Sequence, residues 1–300
     1  MIDEPEAFLH PPLARKLGKH LAGIAVKRDG ALLASTHSAD FLMGCIQAAK
    51  DVRVIRLEYG GGKSKGKIVD SETLSMFFKS PLMRSANAIS SIFYDGVVIA
   101  ESDNDRAFYS EIYHRLSEES ENYPTILFVN AQNKQTIKDI MGPIRKFGVP
   151  AAAIPDIDVL KDGGSTWADW MKSAQIPEAS HQGYASQRAS IKAKFEEKSI
   201  DMKKDGGVSA LEVDDARAAN DFFDVMNNYG IFPVRNGELE HWLLHLGVPG
   251  KKTEWTIGML EKLGSDPSGP DYIRPATGDV WDFMRGIVNW VRDPSRKGTA

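Results

Sequence analysis

The sequence predicts an α/β protein in two parts, and three observations carry that expectation. Between residues 96 and 158, short segments that are apolar throughout alternate with segments of helical periodicity, the pattern of a parallel sheet covered on both faces. Two of those apolar segments run directly into clusters of acidic residues. Residues 165–227 are more polar and largely helical, and they read as an insertion. Across 300 residues, 42% hydrophobic and 26% charged side chains exclude global disorder and a fibrous chain. Lysine plus arginine is 37 and aspartate plus glutamate 41, a net charge of −4, which argues against a coat-like nucleic-acid binder but allows a local basic groove beside an acidic metal site. The single cysteine, Cys45, excludes an intramolecular disulfide and a cysteine-rich zinc site, and it suits a reducing cytosol. No apolar run approaches the roughly 20 residues that span a bilayer. The start, Met1 to Glu6, is acidic and lacks the regions of a signal peptide, so a cytoplasmic location is expected.

Taken in order, Ala14 to Val26 follows the Pro11-Pro12 start signal and predicts a helix. Ala31 to Ser35 predicts a short strand, Asp40 to Lys50 a helix, and Val52 to Tyr59 an alternating strand. Gly60 to Lys67 predicts a hairpin turn before Lys67-Ile68-Val69. Leu74 to Phe93 reads as helical with a break at Pro81, and residues 1–93 and 94–300 are expected as separate domains. In the second part, strands are expected at Gly96–Glu101, Pro124–Val129, Val149–Asp158 and Gly230–Val234. Helices are expected at Asp105–Ser117, Lys134–Phe147, Leu239–Leu246 and Val280–Val291.

Ile2-Asp3-Glu4-Pro5-Glu6 fits the tip of a strand, where nucleotide hydrolases hold Mg²⁺ with an aspartate and polarise water with the next glutamate. Asp-Glu-Pro is followed by the turn Leu9-His10-Pro11 and by Thr36-His37-Ser38 after the next strand. This order resembles the second half of an ABC-type ATPase core. The resemblance implies Asp3 as the Walker B aspartate, Glu4 as the catalytic glutamate and His37 as the switch histidine. No Gly-x-x-x-x-Gly-Lys-Ser/Thr occurs. Gly62-Lys63-Ser64 imitates its end, but Leu57 stands where the first glycine belongs and no helix follows. The chain is therefore expected to begin inside an ATPase domain, and ATP to be used only with an N-terminal part that this sequence lacks.

In the second part, Val97 to Glu101 runs into Ser102-Asp103-Asn104-Asp105, and about fifty residues later Ala153-Ile154-Pro155-Asp156-Ile157-Asp158 ends another strand. Open α/β sheets place their sites at this carboxyl edge. In an extended segment residues 156 and 158 point the same way. Like charges so close are tolerable when hard divalent cations neutralise them. An acid after one strand and Asp-x-Asp after a later one resembles the TOPRIM domain of topoisomerases, primases and OLD-family nucleases. An ABC-type ATPase end followed at once by TOPRIM is similar to the OLD (overcoming lysogenization defect) family of ATP-dependent endonucleases. The expected fold is thus a truncated ABC-type ATPase half followed by a TOPRIM domain, a Rossmann-like parallel sheet with a helical insertion.

The resemblance implies two Mg²⁺ or Mn²⁺ ions on Glu101, Asp105, Asp156 and Asp158, with Glu238 or Glu240 helping to bind the second. On the residues alone, Asp105 is equally a helix N-terminal acid, and Glu238 and Glu240 are equally first-turn acids of the following helix. A lysine near the scissile phosphate is also implied, and Lys251 and Lys252 are the candidates. Ser102 departs from the glycine usual after the first glutamate. The implied reaction is in-line hydrolysis of a DNA phosphodiester between two cations about 4 Å apart, in a homodimer with no membrane contact.

Basic residues at Arg188, Lys192, Lys194, Lys198, Lys203 and Lys204, and at Lys63, Lys65 and Lys67, are candidate phosphate contacts or solvated faces. Tyr94, Tyr109, Tyr113 and Tyr123 read as core or surface aromatics, and none stands where a topoisomerase nucleophile would. Alternatives are a non-catalytic dimerisation or DNA-binding fragment, and a topoisomerase-like or primase-like TOPRIM activity. Because the phosphate loop is missing, the purified chain is expected to show no ATP turnover above background. Measured turnover would contradict this reading.

Overall fold

A computed structural model describes residues 1–60 and 62–298. Gly61, residues 299–300 and the side chains of Tyr59, Lys63 and Met76 lie outside the described residues, so the tip of the expected Gly60–Lys67 turn and the candidate contact Lys63 fall there in part. The chain forms two compact units, Met1–Phe93 and Tyr94–Ala300.

In the first unit, α1 (Pro11–Lys27) starts on prolines whose missing N–H costs nothing in a first turn. It lies against α2 (Ala39–Ala48), where Ser38 Oγ accepts the Phe41 N–H at 3.1 Å. Two glycines let the helix backbones touch: a Cβ on Gly18 would meet the Phe41 carbonyl oxygen at 2.2 Å, and one on Gly44 the Arg15 carbonyl oxygen at 2.0 Å. Ala31–Ser35, expected as a strand, makes only one parallel bridge, Ile2 with Ala34. Ile2 N–H donates to Leu33 O at 2.9 Å, Ser35 N–H to Ile2 O at 3.1 Å and Glu4 N–H to Ser35 O at 3.2 Å, a contact too short to form a strand pair.

The hairpin β1 (Val54–Gly60) and β2 (Lys63–Val69) pairs antiparallel from Val54 with Val69 to Gly60 with Lys63. The second strand thus begins at Lys63 rather than Lys67, because pairing overrides the weak strand propensity of the lysine and glycine residues. The expected 74–93 helix divides into α3 (Ser71–Lys79), α4 (Pro81–Ser85) and a 3₁₀ turn at Ala88–Phe93, with the break where Pro81 has no N–H to donate.

In the second unit, β3 (Gly96–Ala100), α5 (Asp103–Ser117), β4 (Ile126–Asn130), α6 (Lys134–Lys146) and β5 (Ala151–Ile154) build a parallel sheet in the order β4-β3-β5. The third strand is shorter than expected. The chain turns at Pro155 and winds into a 3₁₀ turn at Ile157–Lys161, so Asp156 and Asp158 do not share one extended segment. The expected insertion contains α7 (Gly164–Ser173), α8 (Glu178–Glu197) and α9 (Val213–Asn228). Gly230–Val234 lies beside β5 but makes only two bridges, Ala153 with Ile231 and Asp156 with Val234.

Two helices follow, α10 (Thr253–Leu263) and α11 (Asp279–Arg292). The first was not expected, although its buried Trp255, Met259 and Leu263 recur every four residues. The expected Leu239–Leu246 helix is instead two 3₁₀ turns around a left-handed Leu243 (φ 51°). The Leu243 N–H, which a helix would use internally, donates to the Asp279 carboxylate at 3.2 and 3.3 Å.

Val98, Ala152 and Ile154 join Phe108, Ile112, Trp255, Trp281 and Met284 in one core beneath α5, α10 and α11. Strand alternation turns Val97 and Ile99 to the other face, where α6 buries Ile137, Ile140 and Ile144 completely. Arg145 of α6 is wholly buried and donates to four segments: Ala151 O at 3.0 and 2.7 Å, Ala174 O at 2.8 Å, Tyr229 O at 2.7 Å and Gly298 O at 2.8 Å. Burial, with Arg296 nearby, lowers its pKa to about 9, yet five hydrogen bonds hold the guanidinium in place. Arg145→Met keeps the bulk and removes every donor. Each buried acceptor left unpaired costs about 1–3 kcal/mol, so the variant should lose about 3 kcal/mol or more in urea unfolding. An unchanged midpoint would contradict this role.

Candidate functional site

Glu101 stands one residue past β3, at the carboxyl edge of the sheet. Its Oε2 is buried and has no hydrogen-bond partner among the described residues. Asp105 lies in the first turn of α5, where it completes a capping box with Ser102: Ser102 N–H donates to Asp105 Oδ2 at 3.0 Å, and Asp105 N–H donates to Ser102 Oγ at 3.4 Å. The serine that departs from the family pattern therefore serves as the N-cap. It fixes the helix whose N-terminal dipole lies at this edge. Asp156, two residues past β5, is 8% exposed. Ile157 N–H donates to Gly237 O at 3.3 Å, which ties the Asp156 turn to the segment carrying Glu238 and Glu240.

Lys203 enters this cluster from the insertion. Its ammonium pairs with Asp156 Oδ2 and lies 3.7 Å from Glu238 Oε2. Asp156 and Asp158, expected to point the same way along one strand, are separated by the 3₁₀ turn, which brings Asp158 to a second lysine while its charge still reaches Asp156, Glu101 and Lys203. Lys134 Nζ, at the start of α6, donates to Asp158 Oδ1 at 3.0 Å and to its carbonyl at 3.1 Å, and is 3.7 Å from Asp162 Oδ1. Asp162 is itself fixed by Gln135 Nε2 and Trp170 Nε1, each at 3.1 Å. Behind the acids, Tyr109 is fully buried and its hydroxyl accepts Trp242 Nε1–H at 3.0 Å. It forms a wall of the site rather than a reactive group.

Of the other candidates, Glu240 accepts the Lys252 backbone N–H at 2.7 Å. Lys251 and Lys252 are exposed, and among the described residues neither ammonium pairs with an acid. The reading of Glu238 and Glu240 as first-turn helix acids falls with the helix itself, since 3₁₀ turns replace it. Lys192 and Lys194 are engaged by Glu196 (2.8 Å) and Glu197 (3.5 Å) on their own helix, and Lys198 is engaged by Glu212 at 2.5 Å. That face is largely self-neutralised.

Lys134 and Lys203 were not singled out for the acid site from sequence. Lys134 carried a signal, as the first residue of a helix after a parallel strand at the carboxyl edge. Lys203 carried none locally, since α8 ends at Glu197 and only the tertiary fold brings the following turn back. In the first unit, Glu4 Oε1 lies 3.3 Å from His37 Nε2 and Ser35 Oγ–H donates to Asp3, so Glu4 meets His37 while Asp3 is held by Ser35 beside the Ile2–Ala34 bridge.

Burial, and after it the charge of neighbouring acids, raises the pKa values of these carboxyls. Burial, then the charge of Asp156, pushes Glu101 from about 4.5 up to about 7, against the pull of Lys203. Burial and Asp156 raise Asp105 to about 6, although its bonds to Ser102 oppose the shift. The Lys203 ammonium is disfavoured by burial, but the Asp156 charge and hydrogen bond outweigh this and raise its pKa.

These donors fit a hard divalent cation in chemistry: carboxylate oxygens, one of them buried and unpartnered, with a protein ammonium supplying the countercharge. As they stand, no three His, Cys, Asp or Glu among the described residues are grouped closely enough to hold a metal ion. The groups that would hold it are Glu101, Asp105 and Asp156, with Glu238 alongside.

Because folded Glu101 binds its proton up to about pH 7 and the unfolded carboxyl only to about pH 4.5, the metal-free protein loses stability as pH rises through that window. Glu101→Gln removes the ionisation. In EDTA it should melt higher than the parent protein at pH 8, by on the order of 1–3 kcal/mol, with the gain fading by pH 5. A difference independent of pH would contradict the assignment of burial strain to this carboxyl.

Comparison with known proteins bears on one stretch of the chain. No curated protein matches it significantly. Residues 92–158, which hold β3, α5, β4, α6, β5 and the acids Glu101, Asp105, Asp156 and Asp158, match the family model described as the overcoming lysogenization defect protein-like TOPRIM domain. TOPRIM domains generally bind divalent metals such as Mg²⁺. The mixed α/β unit with its parallel three-stranded sheet is consistent with that similarity.

Proposed function

We propose that this chain is the nuclease part of an OLD-like, ATP-dependent endonuclease that hydrolyses DNA phosphodiesters with Mg²⁺ or Mn²⁺. The observation that carries the reading is the meeting of Glu101, Asp105 and Asp156 at one carboxyl edge, within the stretch that matches the OLD-like TOPRIM domain. When bound, the cations supply a water of lowered pKa and offset charge on the phosphate. The chain's own part is to hold the donors. Ser102 and the α5 N-terminus fix Asp105, the Gly237 contact fixes the Asp156 turn, and Lys134 fixes Asp158. The Tyr109 and Trp242 wall keeps water from behind the acids. Low dielectric around Glu101 strengthens its attraction for positive charge, which favours loss of its proton as a cation approaches. Lys251 and Lys252, exposed near Glu240, remain candidates to meet the DNA backbone.

The close approach of Glu4 to His37 supports reading the first unit as part of an ABC-type ATPase. A homodimer is the proposed working form. A topoisomerase-like reaction gains no support from the tyrosines, since Tyr109 is sealed in the core and the Tyr113 hydroxyl is bound to the Pro124 carbonyl.

Supercoiled plasmid incubated with the protein and Mg²⁺ or Mn²⁺ tests the reading. Nicked or linear product should appear, EDTA should abolish it, and Asp156→Ala should lower the rate at least about 100-fold, the scale expected when a ligand of a catalytic metal is lost. Equal cleavage by Asp156→Ala would remove the assignment, and a covalent protein–DNA adduct would favour a topoisomerase instead.

A further inference from the structure

The position of Lys203 does not follow from nuclease chemistry alone. Its side chain is 28% exposed, beside an Asp156 side chain only 11% exposed and a Glu238 side chain 21% exposed. It is therefore a largely enclosed cation between two acids, the position that a metal ion would otherwise neutralise. Its mount is built rather than incidental. Asp201 Oδ1 accepts Lys203 N–H at 3.1 Å, and Asp205 Oδ2 accepts Asp201 N–H at 2.8 Å, which closes a tight turn. That turn is pressed onto the Glu238 segment. A Cβ on Gly237 (φ 118°) would sit 2.4 Å from the Lys203 carbonyl oxygen, and one on Gly207 (φ 61°) 2.1 Å from the Arg235 carbonyl oxygen. Val208 N–H also donates to Arg235 O at 2.8 Å. Only the flexible side chain beyond the Cα of Lys203 is free to leave.

We propose that Lys203 is a built-in countercation of the acid cluster, which stabilises the metal-free site and must swing off Asp156 and Glu238 before a divalent cation binds there. The inference rests on the divalent-cation reading of the cluster and adds to it a competition that sets cation affinity. Two charges of like sign cannot share the same carboxylates in a medium of low dielectric. The ammonium therefore weakens cation binding by whatever free energy it gains in the pair. The competition also makes the site selective: a monovalent ion gains too little from the carboxylates to displace a tethered ammonium, whereas a divalent ion does.

The test is Mn²⁺ binding to the full chain, read by loss of the free-ion electron paramagnetic resonance signal and independent of DNA cleavage. Lys203→Met keeps the bulk without the charge and should bind Mn²⁺ at least tenfold more tightly than the parent protein. Lys203→Arg keeps a cation on the same mount and should stay within about threefold of the parent, which guards against a folding effect in the methionine variant. Equal or weaker Mn²⁺ binding by Lys203→Met, with metal-dependent cleavage intact in the parent, would overturn the countercation role and leave the nuclease reading standing. Failure of the parent and both variants to bind Mn²⁺ would overturn both.

Discussion

Mutual repulsion among carboxylates brought to one sheet edge is the constraint around which the second unit is organised. Glu101, Asp105 and Asp156 come from two strands and a helix start, and burial, reinforced by the charge of Asp156, raises the pKa of Glu101 to about 7 and of Asp105 to about 6. Such a cluster is costly in a folded protein unless positive charge offsets it. Two lysines from distant parts of the chain supply that charge, Lys203 against Asp156 and Glu238, and Lys134 against Asp158. Carboxyls whose pKa values are raised by burial and neighbouring charge at one sheet edge mark a candidate functional site.

The frame that bears this cost is largely buried. The sheet is covered by α5, α10 and α11 on one face and by α6 on the other, and Arg145 ties β5 to the ends of α7 and α9 through backbone carbonyls alone. Arg115 does similar work on the opposite face, donating to Leu263 O and Ile273 O at 2.9 Å each. Because both guanidiniums bond to main-chain oxygens, they fix loops and helix ends without drawing on the acids of the site.

How much of this could be read from the sequence depended on the range of the interactions. Unbroken apolar runs such as Val97–Ala100 and Ala151–Ile154 identified the buried parallel strands, and the acids after them marked the edge where they meet. Local signals also gave α1 from its prolines and the break at Pro81. The failures came where a distant partner decided the conformation. Leu239–Leu246 has helical periodicity, but Asp279 captures the Leu243 N–H. Asp156 and Asp158 look like neighbours on one strand, but Pro155 and the 3₁₀ turn send them to different lysines. Lys203 read as part of a basic helix face, because nothing near it in sequence reports that its turn folds back onto Gly237. For the first unit, Glu4 and His37 make one contact between exposed side chains, and the absence of a phosphate loop is a property of the sequence alone.

The proposed function requires that the acids at the ends of β3 and β5 together hold divalent cations. The most direct measurement is the anomalous scattering of Mn²⁺ in crystals of the full chain. A peak is expected within coordination distance of the Glu101 and Asp156 carboxylates, with the Lys203 side chain turned away from them. Crystals grown in saturating Mn²⁺ that show no peak at this edge, and Lys203 still bound to Asp156, would contradict it.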